Sequence, residues 1–221
     1  MRKLYIPMLM LVGCGAGSAK YRVDDASLAS IPMQERQPIF DAQNEMNQAK
    51  AEVDKFKADS RNADHDVDVA ENDYKTAKLS LDTAKLNKKS ADMSGDINAK
   101  QKADRDVHVA ELGVKAADAR VDWAKKYRKW VSESQDAAEA HVAAADSRTE
   151  LEKAKLAQAK GIRPNDKFDP MLFEQDYQDK SRKYSDAKLS ADKLRPDVDG
   201  KEREYQTQQQ AYDQARAAAG R

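Results

Sequence analysis

The chain has one cysteine, six prolines and eight glycines in 221 residues. A lone cysteine forms no intrachain disulfide, so a disulfide-stapled fold is excluded. Glycine and proline this scarce disfavour collagen, Gly/Ser linkers and a turn-rich β-sandwich. Aromatic residues make up only 6%, and too few large apolar side chains remain for a compact core to offset ordering entropy easily. Net charge is absent as well, with 39 basic residues against 39 acidic ones. No basic face is left over for nucleic acid, which is not expected as a partner. What the chain does have is charge, at 35%, with a mean hydropathy of −0.92. Alanine, aspartate, lysine, glutamate and glutamine dominate. That profile belongs to long helices or to disorder, and periodicity separates the two.

The N-terminus carries an address. Met1-Arg2-Lys3 is a short positive start, and Leu4 to Val12 is an apolar run interrupted by Pro7. Nine residues of helix span about 14 Å, far short of a hydrocarbon core of about 30 Å. The run therefore reads as a signal peptide and not as a membrane span. It leads into Leu11-Val12-Gly13-Cys14, which resembles the lipobox of bacterial lipoproteins. The resemblance covers only this segment. It implies cleavage after residue 13, thioether lipidation of Cys14 and acylation of the new amino terminus. With Gly15, not Asp, after the cysteine, it further implies the outer membrane. Several acyl chains on one residue meet the need for more than one marginal lipid anchor. The glycines around Cys14 also imitate a dinucleotide fingerprint, but its third glycine would fall at Ser18 and no βαβ unit follows. Loss of residues 1–13 removes Arg2 and Lys3 and leaves 37 basic residues against 39 acidic. Lipid, not charge, would hold the chain to a membrane. Residues 14–32 show no helical stripe and read as a lipidated cysteine with a flexible tether ending at Pro32.

From Ile39 one beat persists for seven heptads. Its a positions are Ile39, Met46, Val53, Ser60, Val67, Tyr74 and Leu81. Its d positions are Ala42, Ala49, Phe56, Ala63, Ala70, Ala77 and Ala84. Strict 3-4 spacing over that length specifies a supercoiled seam. Mixed charges between the seam residues predict a solvated outer face. Alanine at d lets helices approach closely, while each layer buries little at about 25 cal/mol per Å². The beat fails near Gly95 and resumes in a new phase, with a at Val107, Val114, Val121, Gln135 and Val142 and alanine again frequent at d. Gly95 suits a left-handed helix end, and Ser94 or Asp96 suits a cap. A continuous helix with a skip in its coil is the competing reading. Residues 66–86 match residues 106–126 at 10 of 21 positions, which fits either duplication or shared heptad composition. Gly161 and Pro164 mark a second break, and Asp169-Pro170 restarts a helix. A third seam from Phe173 to Ala219 keeps phase through Pro196 and Gly200, which predicts a kink within one helix.

These signals predict an all-α fold: a long antiparallel helical hairpin or three-helix coiled-coil bundle behind a tether. Its helices would lie at about 33–92, 97–160 and 170–219, in one extended domain over 33–221. They would be roughly 75–95 Å each. The heptads leave an intramolecular bundle and a homo-oligomer both open.

Chemistry is sparse. His65, His108 and His141 fall at f, b and g without an i,i+4 ligand partner, and read as solvated surface residues. The carboxylates are interleaved with cations, and no Ser/His/Asp or Cys/His grouping appears. No catalytic residue, metal site or cofactor is expected, and the chain does not read as an enzyme. Trp123, Tyr127 and Trp130 depart from the seam at i, i+4, i+7. They form either the second apolar face of a middle helix or a docking patch for a protein partner. A pairing of the second and third helices about residue 165 would put this stretch near Tyr205. The expected function is an outer-membrane lipoprotein facing the periplasm, held by lipid on Cys14 and acting as spacer, scaffold or adaptor for a protein assembly of the cell envelope. The alternatives are a periplasmic holdase or a regulator of a cell-wall hydrolase.

Overall fold

The computed structural model describes residues 19–220, so the expected signal peptide, Cys14 and the start of the tether lie outside the described residues. Three long helices pack against one another: α1 (Gln37–Ser94), α2 (Ile97–Ala159) and α3 (Pro170–Ala219). Two 3-10 turns, Asp25–Leu28 and Met33–Arg36, precede them. No strand occurs among the described residues. The all-α bundle expected from the heptads is the fold.

The breaks form where the sequence signals place them. α1 ends at Ser94 and Gly95 adopts φ +72°, a left-handed conformation that glycine reaches without a Cβ penalty. Asp96 then caps α2, its Oδ1 accepting from the backbone N–H of Asn98 at 2.8 Å. Residues 94–96 are thus a turn and not a coil skip. α2 ends on Gly161 (φ +67°). There Ile162 N–H donates to Ala157 O at 2.9 Å and Gly161 N–H to Gln158 O at 3.0 Å, the paired bonds of a Schellman end. Asp169 Oδ1 accepts from Met171 N–H at 2.9 Å, and Pro170 opens α3 at the position where its missing N–H costs nothing. α3 runs unbroken through Pro196.

The chain divides into two compact units, one of Met1–Lys50 with Glu139–Tyr184 and one of Ala51–Ala138 with Ser185–Arg221. In the second unit α1 and α2 are antiparallel: Lys125 pairs with Glu71 at 2.8 Å, Arg120 pairs with Asp73, and Phe56 meets Trp130 edge-on at 6.3 Å. α3 lies antiparallel to α2, with Lys201–Asp122 at 3.2 Å and Lys126–Asp197 at 2.6 Å. Val67, Ala70, Val121 and Ala124 form a buried core there, flanked by Tyr74 and Trp123. Every seam position named for α1 and α3 is buried or half-buried.

The first unit departs from expectation. Residues 19–31 are not a free tether. Ala19, Val23, Leu28 and Ile31 are buried, the last three in a core with Ile39, Leu151, Ala154, Ala157 and Phe173. The segment covers a face of α2, and no residue from Glu139 to Ala154 is exposed. A helix buried on all sides needs small or apolar residues all round, which accounts for the alanines at 140, 143, 144 and 145.

Candidate functional site

The first unit holds a connected cluster of buried polar groups. Asp146, Glu150 and Lys153 follow one another along the face of α2 that the N-terminal segment covers. The segment arrives extended and offers backbone N–H groups to the acids. Ala19 N–H donates to Asp146 Oδ2 at 2.7 Å, and Val23 N–H to Glu150 Oε2 at 2.8 Å. Between them Arg22 reaches both carboxylates, at 2.8 Å from Asp146 Oδ2 and 3.4 Å from Glu150 Oε1. Lys153 Nζ completes the clasp, 2.7 Å from Asp25 Oδ1 and 3.1 Å from Glu150 Oε1. Glu150 and Lys153 are buried, at 2% and 6% exposure. Desolvation disfavours the charged form of Lys153, but its hydrogen bonds to Asp25 and Glu150 outweigh that and hold the ammonium above the ordinary lysine range. Two further contacts fix the segment: Lys20 N–H donates to Asp176 Oδ2 at 3.2 Å, and Glu35 pairs with Lys160. Tyr21 packs on Phe173 with ring centroids 5.6 Å apart. An open cleft of about 600 Å³ lies beside this ring pair, lined by Lys20, Tyr21, Asn165, Lys167 and Phe168 among others.

None of the clasp residues stands out in the sequence. Their signal is weak: an acid and a base, Glu150 and Lys153, alternate with the apolar Leu151 and Ala154. Buried charge in such a stretch requires a partner from outside the heptad pairs.

The aromatic group of the second unit is half-buried and internally engaged. Trp123 stacks on Tyr205 at 5.9 Å and 11°, the neighbour expected from pairing about residue 165. Tyr127 lies between the two indoles, 5.9 Å from Trp123 and 5.6 Å from Trp130. The Arg195 guanidinium stands 4.7 Å over the Trp130 ring. Burial, and then the Asp59 carboxylate, push the Tyr127 phenol above its ordinary range. Trp123 Nε1–H is buried without a hydrogen-bond partner. The rings therefore pack as a second apolar face of α2 while staying partly exposed.

The histidines divide. His65 and His108 are exposed, as expected. His141 is a correction: it is half-buried in the first unit, stacked on Tyr184 at 4.4 Å and 9°, with Nε2 3.7 Å from Glu45 Oε1. A g position is shielded there because α2 is covered on all sides. Among the described residues no cluster of His, Cys, Asp and Glu has the geometry of a metal site, and no helix is long and apolar enough to cross a membrane. Cys14, the expected lipid site, lies outside the described residues. The chain matches no protein-family model, no curated protein and no solved structure.

Proposed function

We propose that the chain is a lipid-anchored envelope protein, held to the outer membrane through Cys14 and acting in the periplasm as a helical spacer or adaptor. The observation that carries the reading is the clasp. Ala19, the first described residue and already bonded to Asp146, is five positions from the lipobox cysteine, a reach of at most about 18 Å even if fully extended. A spacer must pass position and force from its anchor to its body. A long loose tether would dissipate both, whereas a segment fixed by buried charge and an apolar core transmits them. Long helices, here of 58, 63 and 50 residues, are the elements such a spacer requires. Their seam residues are buried or half-buried, and apart from side chains such as Leu79, Leu86 and Met93 their exposed positions are mainly charged or polar.

The test has two parts. Fractionation of cells making the full-length chain with Cys14→Ser should move it from the membrane to the soluble periplasmic fraction, and incorporation of labelled palmitate should disappear with it. Lengthening the chain between Cys14 and Ala19 by some twenty Gly/Ser residues should then abolish function while leaving the protein folded and lipidated. Membrane retention of Cys14→Ser, or indifference to the insertion, would contradict the reading.

A holdase draws support from one feature, the exposed apolar side chains Leu79, Leu86, Met93 and Ile97. A holdase reading predicts that substituting them reduces suppression of client aggregation.

A further inference from the structure

Leu79, Leu86 and Met93 are 68%, 69% and 76% exposed on α1. The other large exposed side chains, Met33, Ile97, Met171 and Leu189, do not share this heptad row. Seven-residue spacing puts the three in one line on the face of α1 turned away from its a/d seam. Three residues before each stands a small hydroxyl residue: Thr76, Thr83 and Ser90. The six positions therefore step 3-4-3-4-3 along the helix, the spacing of a second coiled-coil seam. The two threonines present their methyls to it, because Thr76 Oγ1 donates to Asn72 O at 3.0 Å and Thr83 Oγ1 to Leu79 O at 2.9 Å. In this strip, the flank on one side is neutral, with Ser80, Asn87 and Ser94. The other flank alternates in sign, with Lys75, Asp82 and Lys89, and none of these three makes a direct ion pair among the described residues.

From this pattern we infer that the outer seam of α1 binds a second copy of the chain, antiparallel, about a two-fold axis near residues 84–86. Two complementarities select that partner and orientation. The first is volume. Antiparallel pairing sets each large residue against a small one: Leu86 on Thr83 of the second copy, Leu79 on Ser90, Met93 on Thr76. Alternating large and small side chains fill facing positions evenly. Parallel pairing would set leucine on leucine and threonine on threonine, with uneven layers. The second is charge. In an antiparallel pair the alternating flanks face each other, and the same axis brings Asp82 against Lys89 of the second copy and Lys89 against its Asp82. Lys75 falls opposite the turn that carries Asp96. In a parallel pair each charged flank would face the neutral one, and no ion pair would form. The sequence of this face is thus complementary to itself read backwards, as an isologous interface requires.

Sedimentation velocity of the full-length chain over a range of concentrations tests this. The expected result is a reversible shift from the mass of one chain to that of two. Asp82→Lys and Lys89→Asp should each weaken the dimer by about tenfold or more, since each turns both central pairs repulsive. Mixed in equal amounts, the two variants should recover it as a heterodimer, and the double variant should recover it alone. Unchanged helical circular dichroism would show that both single variants remain folded. Leu86→Glu should abolish association. A wild-type chain that is monomeric at every concentration overturns the inference, as does a dimer indifferent to these changes or a mixture that fails to re-associate. A monomer that instead floats with anionic phospholipid vesicles through Leu86 also overturns it, and gives the stripe to a lipid surface.

Discussion

The two units of this chain are built from the same three helices and the same alanine-rich repeat, yet they are held together differently. The second unit relies on repetition. Its layers are mostly alanine and valine, its ion pairs stand at the surface, and Phe56, Trp123, Tyr127, Trp130 and Tyr205 form one aromatic group. The first unit adds an element that the repeat does not contain: a non-repetitive segment that covers α2 and ties itself to buried charge. Each alanine layer contributes little, and loss of one is spread over the neighbours. A buried ion cluster behaves oppositely, because removing one member strands the others in a medium of low polarity. The same fold therefore combines a tolerant region with one that fails at single residues.

The sharpest way to break this comparison is Glu150→Ala. It removes the acceptor of Val23 N–H and one of the two partners of buried Lys153, and should cost about 3–5 kcal/mol, read by denaturant unfolding. Leu28, 2% exposed in the same core, is next: Leu28→Ala should cost about 2–5 kcal/mol. In the second unit, Trp123→Phe should change stability by less than about 1 kcal/mol, because the lost ring area is offset by removal of an indole N–H that has no acceptor. Gly200, in the interior of α3 with no heavy atom within 4 Å of an added Cβ, should tolerate alanine and gain about 1 kcal/mol from helix propensity. Losses of a few kcal/mol at Trp123, or none at Glu150, would erase the distinction.

The pH dependence sharpens it further. Lys153 is held above the ordinary lysine range, so its contribution is complete below the unfolded-state value of about 10.4 and is lost as pH rises through the higher folded value. The N-terminal segment should therefore loosen only in strongly alkaline solution. Lys153→Arg, which stays charged, should move that transition to still higher pH. The difference in near-ultraviolet dichroism between the wild type and Lys153→Arg, in which tyrosine ionisation is common to both, would report it.

Much of the fold was legible because helix ends announce themselves chemically. Gly95, Gly161, Asp169 and Pro170 each do at the chain termini of the helices what their backbone preferences dictate, and the seams from Ile39 and Phe173 bury the residues their spacing selects. The position of Tyr205 against Trp123 also followed from counting residues on either side of the second break. The clasp did not. Residues 19–31 fold as an extended stretch and a 3-10 turn, which leave no period to detect, and Val23, Leu28 and Ile31 look like scattered apolar residues until α2 is seen to lack exposed positions from Glu139 to Ala154. His141 was misplaced for the same reason, since its shielding comes from neighbours that a heptad wheel does not include. The outer stripe of α1 escapes a wheel drawn for one seam, which treats the opposite face as solvent. A second 3-4 count along Thr76, Leu79, Thr83 and Leu86 exposes it.

Amide hydrogen exchange across residues 19–36, in the full-length chain and in Glu150→Ala, decides whether the N-terminal segment is fixed to α2. Strong protection of the Val23 amide is expected in the wild type, lost in the variant while the amides of residues 60–75 and 115–130 keep theirs. Exchange of residues 19–31 at the rate of an unstructured chain in the wild type would contradict it, and would return the segment to a free tether.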